Sequence, residues 1–199
     1  RSVVRLLTDP NSGVGVTGMD GTYSAALSGG RELWMFSDSF CGRVLPDRSR
    51  PETAPFLRNS MIVQRAGGFD SVHGGTPDAP TTLVESPTPG NWLWVGGSLR
   101  VGDTLQVLYA EFRPTGPGMW DWEWANDVLV RVDTAAPDDV RVIALDRLPT
   151  SAPISWTVWV QPVGAYTYVY GVEDLQQRKF LHVSRVAGRD LAGPRSYFG

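Results

Sequence analysis

The sequence predicts an all-β protein, a β-propeller built from four-stranded antiparallel blades. The chain of 199 residues contains 22 glycines, 15 prolines and 8 tryptophans. This composition favours many short strands joined by tight turns over long helices. One pattern also recurs along the chain: an extended run, a turn that contains glycine, and an aromatic-rich strand that ends in an acidic residue.

The first copy of this pattern is a predicted hairpin near the N-terminus. Its strands cover residues 22–27 and 33–36, and glycines 29 and 30 supply the turn. Asp20 precedes the first strand and Asp38 follows the second. Because a hairpin folds its two ends back to the same side, we expect the two carboxylates to lie close together. Paired carboxylates are the groups that split glycosidic bonds, one as proton donor and the other as base or nucleophile.

Two further copies follow at residues 94–112 and 156–174. When the copies are aligned on their turns, Asp38, Glu111 and Glu173 occupy equivalent strand ends. The extended runs after each copy complete four strands per unit. The fourth strands are predicted at residues 81–85, 140–145 and 196–199.

This repeat predicts a single partial propeller domain over residues 1–199, with blades at about residues 18–85, 91–146 and 154–199. Three blades are fewer than the four to eight that typically close a ring, so we expect a truncated chain. The alternative is an antiparallel sandwich. A sandwich has no reason to repeat the same turn and terminal acid, which favours the propeller.

Charge and hydropathy exclude several classes of partner. The formal net charge is −3, and acidic and basic residues are interspersed along the chain without forming a basic stripe. Nucleic acid is therefore not an expected partner. No run of about 18 apolar residues is present, so we expect no insertion into a membrane. The sequence does not specify an oligomeric state.

No cofactor and no metal are expected. Cys41 is the single cysteine, and the sequence has no Cys/His cluster with zinc spacing. The segment GVGVTG at residues 13–18 matches the glycine pattern of dinucleotide-binding loops. However, Pro10 separates it from the preceding apolar run and no alternation of strand and helix follows, so we interpret it as a loop.

Tryptophans occupy the position in later units that Asp20 holds in the first. They are Trp92 and Trp94 in the second unit and Trp156 and Trp159 in the third. Their rings suit stacking on sugars, and the alternative is that they fill the space between blades. The segment WDWEW at residues 120–124 is either a loop above a cleft or an ordinary strand.

We predict structural roles, and not catalytic ones, for three other polar residues. Asn59 and Asn126 open corresponding strands and are predicted turn or cap residues. His182 alternates with apolar neighbours on the third strand of the last unit, which predicts a packed side chain.

Several segments together resemble a known enzyme superfamily. In order and spacing, the chain contains GMDGTYSAAL, LWMFSDSF, RNSMIVQ, YTYVYGVED and FLHVSRV. These resemble the five-bladed β-propeller glycoside hydrolases, the superfamily of arabinanases, β-xylosidases and levansucrases. They are most similar to a bacterial branch, long catalogued as of unknown function, that includes endo-D-arabinanases. The resemblance spans nearly all of the chain.

The resemblance implies a set of roles. It implies five blades, of which about three are present, and a secreted or cell-envelope location. Asp20 corresponds to the base or nucleophile, and Asp38 to a second acid, expected to be a proton donor because of burial and a neighbouring negative charge. The superfamily also draws an acid and a carboxylate that tunes it from later blades, and Glu111 and Glu173 are the possible counterparts. With the tryptophans placed by the repeat, the expected substrate-binding residues are Trp92, Trp94, Glu111, Trp156 and Glu173.

The function predicted from these observations is hydrolysis of a furanose-containing polysaccharide of the arabinan type by paired-carboxylate chemistry. The expected partner is a polysaccharide or oligosaccharide substrate. Two alternatives remain open at this stage. One is a propeller that binds glycans without chemistry, and the other is a propeller used only for protein contacts.

Overall fold

The computed structural model describes residues 15–136, 139–150 and 152–198. Among these, regular structure is β-strand apart from one short 3-10 turn at Ser28–Gly30. The chain divides into two compact units, one that ends at Glu85 and one that begins at Ser86. No helix in the described ranges is long and apolar enough to span a bilayer.

The first unit contains one four-stranded antiparallel sheet, a three-stranded sheet and a small hairpin. The four-stranded sheet has the order β2-β3-β6-β7, the three-stranded sheet has the order β1-β4-β5, and β8 pairs with β9. The strands are β1 (Val16–Met19), β2 (Thr22–Ala26), β3 (Glu32–Phe36), β4 (Ser39–Cys41), β5 (Phe56–Leu57), β6 (Ser60–Arg65), β7 (Gly68–Val72), β8 (Gly74–Thr76) and β9 (Ala79–Thr81).

The core of this unit forms where the two larger sheets meet. It is built from buried apolar side chains of both: Val16, Phe36, Cys41, Leu57 and Ile62. Each comes from a strand in which apolar residues are buried, as expected for sheets with one packed face.

The second unit contains two four-stranded antiparallel sheets, in the orders β10-β11-β12-β13 and β14-β15-β16-β17. Their strands are β10 (Trp92–Val101), β11 (Thr104–Pro114), β12 (Trp122–Ala136), β13 (Asp139–Arg147), β14 (Ile154–Val163), β15 (Tyr166–Leu175), β16 (Arg178–Ala187) and β17 (Arg195–Tyr197). One apolar cluster joins both sheets, with Leu108 and Leu129 from one and Trp156 and Val169 from the other.

A glycine pair lets the first strands of these two sheets approach closely. A side chain at Gly96 on β10 would overlap the carbonyl group of Thr157 on β14, and one at Gly97 would lie about 3.0 Å from the backbone of Trp159. Both strands also have a register shift at this point, between Val95 and Ser98 and between Ser155 and Trp159. Backbone packing at this distance is possible only without a Cβ.

The structure confirms the predicted all-β class with four-stranded antiparallel sheets. These sheets fall at residues 22–72, 92–147 and 154–197. Their grouping into one partial domain and the five-bladed ring remain predictions, and the first 14 residues of that predicted domain lie outside the described residues.

One predicted fourth strand is wrong. In the first unit the fourth strand of the sheet is β7, which pairs with β6 after a tight turn. The prediction had placed this strand at residues 81–85. The sequence of β7, GFDSV, has apolar side chains only at Phe69 and Val72, and Asp70 and Ser71 are exposed. It therefore lacks the apolar run by which the sequence-based prediction recognised strands.

We expect Gly96→Ala to destabilise the chain by about 1–3 kcal/mol, because the added methyl group overlaps the backbone of Thr157. Urea denaturation followed by circular dichroism measures this. Gly67→Ala is the control, since a side chain there meets no atom within 4 Å, and it should change stability by less than about 0.5 kcal/mol. Equal midpoints for the two variants would show that the close approach of β10 and β14 does not exist.

Candidate functional site

The structure brings the two predicted catalytic acids together. Thr22 pairs with Phe36 at the end of the β2–β3 ladder. One step further, the Asp20 N–H donates to the carbonyl oxygen of Asp38 at 2.8 Å, and the Ser37 N–H donates to that of Asp20 at 2.9 Å. The backbone of Asp20 thus lies beside the backbones of Ser37 and Asp38.

Asp20 lies in an exposed turn. Its Oδ1 accepts a hydrogen bond of 2.7 Å from the N–H of Gly21. Gly21 has a positive φ of 57°, a conformation that glycine adopts without strain. The turn therefore presents the Asp20 carboxylate to solvent at the end of the hairpin.

Asp38 is partly buried and faces a guanidinium group. Nη1 of Arg58 lies 3.4 Å from Oδ1 of Asp38, with side-chain exposures of 39% and 25%. The sequence-based argument for a proton donor invoked burial and a neighbouring negative charge. The structure also places a positive charge, that of Arg58, beside Asp38.

Two phenylalanine rings lie next to this ion pair. Phe40 and Phe56 are cross-strand partners on β4 and β5, with ring centroids 5.1 Å apart. The guanidinium of Arg58 lies over the Phe56 ring at 5.1 Å, and that of Arg50 lies over the Phe40 ring at 4.9 Å. Both rings are exposed. The sequence analysis missed them, although Phe40 follows Asp38 at a spacing of two.

Glu111 is part of a buried hydrogen-bond network. It is 1% exposed, and its Oε1 accepts hydrogen bonds from Ser86 Oγ at 2.6 Å and Asn91 Nδ2 at 3.1 Å. Burial raises its pKa, but these hydrogen bonds, another from Thr88 and the charge of Arg147 outweigh that effect, so the pKa is lowered. Glu111 thus fixes the segment before β10 in the described arrangement and does not open to solvent.

Asp127 is a buried carboxylate that the sequence analysis missed. It accepts hydrogen bonds from Trp124 Nε1 at 2.9 Å, Ser155 Oγ at 3.0 Å and the Trp156 N–H at 2.6 Å. Burial raises its pKa, although these hydrogen bonds and the charge of Arg195 act in the opposite direction. Its role is to hold the start of β14.

In the first unit, Asn59 ties its strand to a later segment, as Asp127 does in the second unit. Its Nδ2 donates to the carbonyl of Val84 at 2.9 Å, and its Oδ1 accepts from the Val84 N–H at 2.8 Å. The sequence alignment paired Asn59 with Asn126. The residue with the same function is instead Asp127, one position later.

Trp92 and Trp94 pack within an aromatic cluster on one face of the second unit. The Trp94 ring lies 4.6 Å from Phe112 and 5.1 Å from Trp122, and the Trp92 ring lies 6.0 Å from Trp94. The rings are half-buried. This environment resembles the space-filling alternative of the sequence analysis.

The segment WDWEW divides between a turn and a strand. Trp120 lies in the turn between β11 and β12 and is 79% exposed, whereas Trp122 and Trp124 belong to β12. Asp121 holds this turn, because its Oδ2 accepts from the Gly118 N–H at 2.8 Å.

Trp156 lines a small cavity in the second unit, and Glu173 lies beside a residue that lines it. The cavity has a volume of about 190 Å³ and is lined by Ala152, Ile154, Trp156, His182, Tyr197 and Phe198. Glu173 is adjacent, since its Oε2 lies 3.1 Å from Nε2 of His182. The ring of His182 was predicted to pack, and it does contact Trp156, with centroids 6.3 Å apart. It also lines the cavity.

Within the described ranges, no group of three or more His, Cys, Asp or Glu side chains is arranged to hold a metal ion. The Cys41 thiol is buried, and burial raises its pKa to about 11. A thiol of this kind is largely protonated at neutral pH and is a poor nucleophile.

The described residues define an all-β protein of four-stranded antiparallel sheets with a carboxylate pair at the end of its first hairpin. The chain belongs to the DUF5005 family, described as a domain of unknown function, whose family model matches residues 9–199. A comparison with curated proteins gives no match.

Among solved structures, the chain is similar to a protein from Bacteroides ovatus that is named a "putative hydrolase". The TM-score is 0.76 and the sequence identity 19%, over 94% of this chain. The match covers 52% of the other protein, so this chain spans about half of its length. At this identity the similarity shows a shared fold.

Because the pKa of Glu111 is lowered in the folded state, its carboxylate stabilises the fold above the usual glutamate pKa, and this contribution is lost as pH falls through the folded-state pKa. Glu111→Gln should therefore lower the free energy of unfolding at pH 7 by about 1–3 kcal/mol. The difference from wild type should shrink below pH 4.5. Urea denaturation at a series of pH values measures both.

The exposed Glu85 provides the control. Glu85→Gln should leave both the stability at pH 7 and its acid dependence unchanged. A Glu111→Gln variant that is as stable as wild type at pH 7 would contradict the network described for Glu111.

Proposed function

We propose that this chain carries the catalytic acids of a glycoside hydrolase that cleaves a furanose-containing polysaccharide of the arabinan type. One observation carries the proposal: the backbones of Asp20 and Asp38 are hydrogen-bonded to each other just beyond the end of the first hairpin. Two carboxylates on adjacent stretches of backbone are the equipment that a glycosidase needs, one as proton donor and the other as base or nucleophile.

The surroundings of the two acids support a division of roles. Asp38 forms a salt bridge with Arg58, an arrangement that suits a carboxylate held in place to act as base or nucleophile. The proton donor is then Asp20, which the turn at Gly21 leaves open to an approaching leaving group. This is the reverse of the roles implied by the resemblance.

The exposed rings of Phe40 and Phe56 support a sugar substrate. They lie on the strands that follow Asp38 and present apolar surface beside the Arg58–Asp38 pair. Aromatic faces of this kind pack against the C–H faces of sugar rings, while nearby charged groups bond to hydroxyls.

Two further considerations are consistent with the proposal. The Bacteroides ovatus protein with the shared fold is named a hydrolase, which supports a hydrolase at most and says nothing of arabinan. A polymer substrate cannot enter a cell intact. The proposal therefore includes a secreted or cell-envelope location for the protein of which this chain forms all or part.

Asp20→Asn and Asp38→Asn should each lower hydrolysis by roughly 10²–10⁴-fold, because each removes a group that transfers a proton or attacks the sugar. Release of reducing ends from arabinan, arabinogalactan, xylan and fructan measures the rates. Circular dichroism should show that both variants remain folded, since neither side chain belongs to the core.

Asp78→Asn is the matched control, because this aspartate is exposed in the turn between β8 and β9 and should leave the rate unchanged. Near-normal hydrolysis by the Asp20→Asn protein would exclude the proposed chemistry. Glycan binding without any released reducing ends in the wild type would instead indicate a binding module.

A further inference from the structure

Arg50 is a cation held in a defined seat in the first unit. Its Nη2 donates a hydrogen bond of 2.8 Å to the carbonyl oxygen of Thr17 on β1. Its guanidinium lies over the Phe40 ring on β4, 4.9 Å from the centroid. A side chain at Gly18 would overlap Nη2 of Arg50 and lie 2.8 Å from its Cζ. The glycine on β1 therefore leaves open the space that this guanidinium fills.

The charge of Arg50 is not compensated by its neighbours. Arg50 forms no ion pair with any residue that the structure describes, and its buried Nε has no hydrogen-bond partner among them. Arg58, in contrast, pairs with Asp38 at 3.4 Å. The loop at residues 42–55 carries three arginines, at positions 43, 48 and 50, and two acidic residues, at positions 47 and 52. A guanidinium has five N–H donors, so Arg50 retains both charge and donors for a ligand.

A row of side-chain contacts connects Arg50 to Asp38. The Phe40 ring under Arg50 lies 5.1 Å from the ring of Phe56. The Phe56 ring lies 5.1 Å from the guanidinium of Arg58, which pairs with Asp38. Along the chain, Asp38 and Phe40 are two residues apart, about 7 Å between Cα atoms in an extended backbone. A glycan with one glycosidic bond at Asp38 is long enough to bring a neighbouring sugar to Arg50.

The charges near Arg50 favour a carboxylate over other groups. A planar guanidinium matches the planar, singly charged carboxylate in geometry. The negative charges of Asp20 and Asp38 oppose a doubly charged phosphate more strongly than a carboxylate. A neutral sugar leaves the cation unpaired. A sugar that carries one carboxylate, which is a uronic acid, meets these conditions.

We propose that Arg50 binds the carboxylate of a uronic acid unit in the glycan, next to the sugar whose bond is cleaved. This inference rests on the proposed function, because that function places a glycan beside Asp38. Arg50 is then a specificity-determining residue. It selects those stretches of a largely neutral polysaccharide that carry an acidic sugar.

The test measures binding to the full 199-residue chain with Asp20→Asn, so that no probe is consumed and the change in charge is common to every comparison. Two pairs of trisaccharides differ in the acid: methylglucuronosyl-xylobiose with xylotriose, and trigalacturonate with galactotriose. Isothermal titration calorimetry gives the affinities. At least one acidic trisaccharide should bind about tenfold or more tightly than its neutral counterpart, because charged hydrogen bonds are the stronger ones.

An arginine variant assigns this preference to Arg50. Arg50→Gln should reduce the preference for the acidic trisaccharide to less than about twofold and leave the affinity for the neutral one within about twofold, because it removes the charge. Arg48→Gln is the matched control, since Arg48 is an exposed arginine of the same loop, and it should keep the preference. Circular dichroism should show that both variants are folded.

A glycine variant tests the seat itself. Gly18→Ala keeps Arg50 but places a methyl group where the guanidinium lies, so it should also abolish the preference. Combining Gly18→Ala with Arg50→Gln should weaken binding of the acidic trisaccharide no further than Arg50→Gln alone, because both changes remove the same contact.

Glucuronate and glucose 6-phosphate separate the two kinds of anion, and glucuronate should bind more tightly. The proposal is overturned by equal affinities within both trisaccharide pairs, by no binding of either acidic trisaccharide, or by tighter binding of glucose 6-phosphate. A preference that survives Arg50→Gln, or that Arg48→Gln abolishes equally, also overturns it.

Failure of the hydrolysis proposal gives a different result. In that case the wild-type chain releases no reducing ends from any polysaccharide, while the preference for the acidic trisaccharide remains and still depends on Arg50.

Discussion

Each unit of this chain depends on a buried polar side chain that ties one strand to a later segment. In the second unit, Asp127 on β12 accepts hydrogen bonds from Ser155 and from the N–H of Trp156 at the start of β14. In the first unit, Asn59 bonds to both backbone groups of Val84. Burying a polar group without partners costs free energy, so these side chains permit only the chain path that satisfies them. The hydrogen bonds to Asp127 also place Trp156 at the wall of the small cavity.

The acid pair and the small cavity arise from different kinds of constraint. Backbone hydrogen bonds place Asp20 beside Asp38, and their carboxylates bond to the Gly21 N–H and to the Arg58 guanidinium, respectively. The cavity at Trp156 is held by packing and by the glycine at position 171, which makes room for the indole ring. A pair of acids at the end of a hairpin suits chemistry on a polymer.

The parts of the structure that were predictable from the sequence are those with local signals. The glycine turn and the alternation around it predicted the first hairpin and the proximity of Asp20 and Asp38. The strand β7 had no such signal, because it lacks a continuous apolar run. Asp127 was missed because the two runs were aligned on their leading asparagines, Asn59 and Asn126. The surroundings of Asp38 and His182 could not be predicted, since Arg58 and Tyr197 reach them through pairings that sequence spacing does not specify.

The central claim is that the Asp38 carboxylate acts directly on the anomeric carbon or on the water that attacks it. Chemical rescue tests this most directly. The Asp38→Ala protein is incubated with sodium azide and a 4-nitrophenyl glycoside that the wild type hydrolyses, and the product is identified by NMR. The account predicts that azide restores turnover and yields a glycosyl azide whose anomeric configuration is opposite to that of the substrate. An Asp38→Ala protein that retains wild-type turnover without azide, or that azide does not rescue, would contradict it.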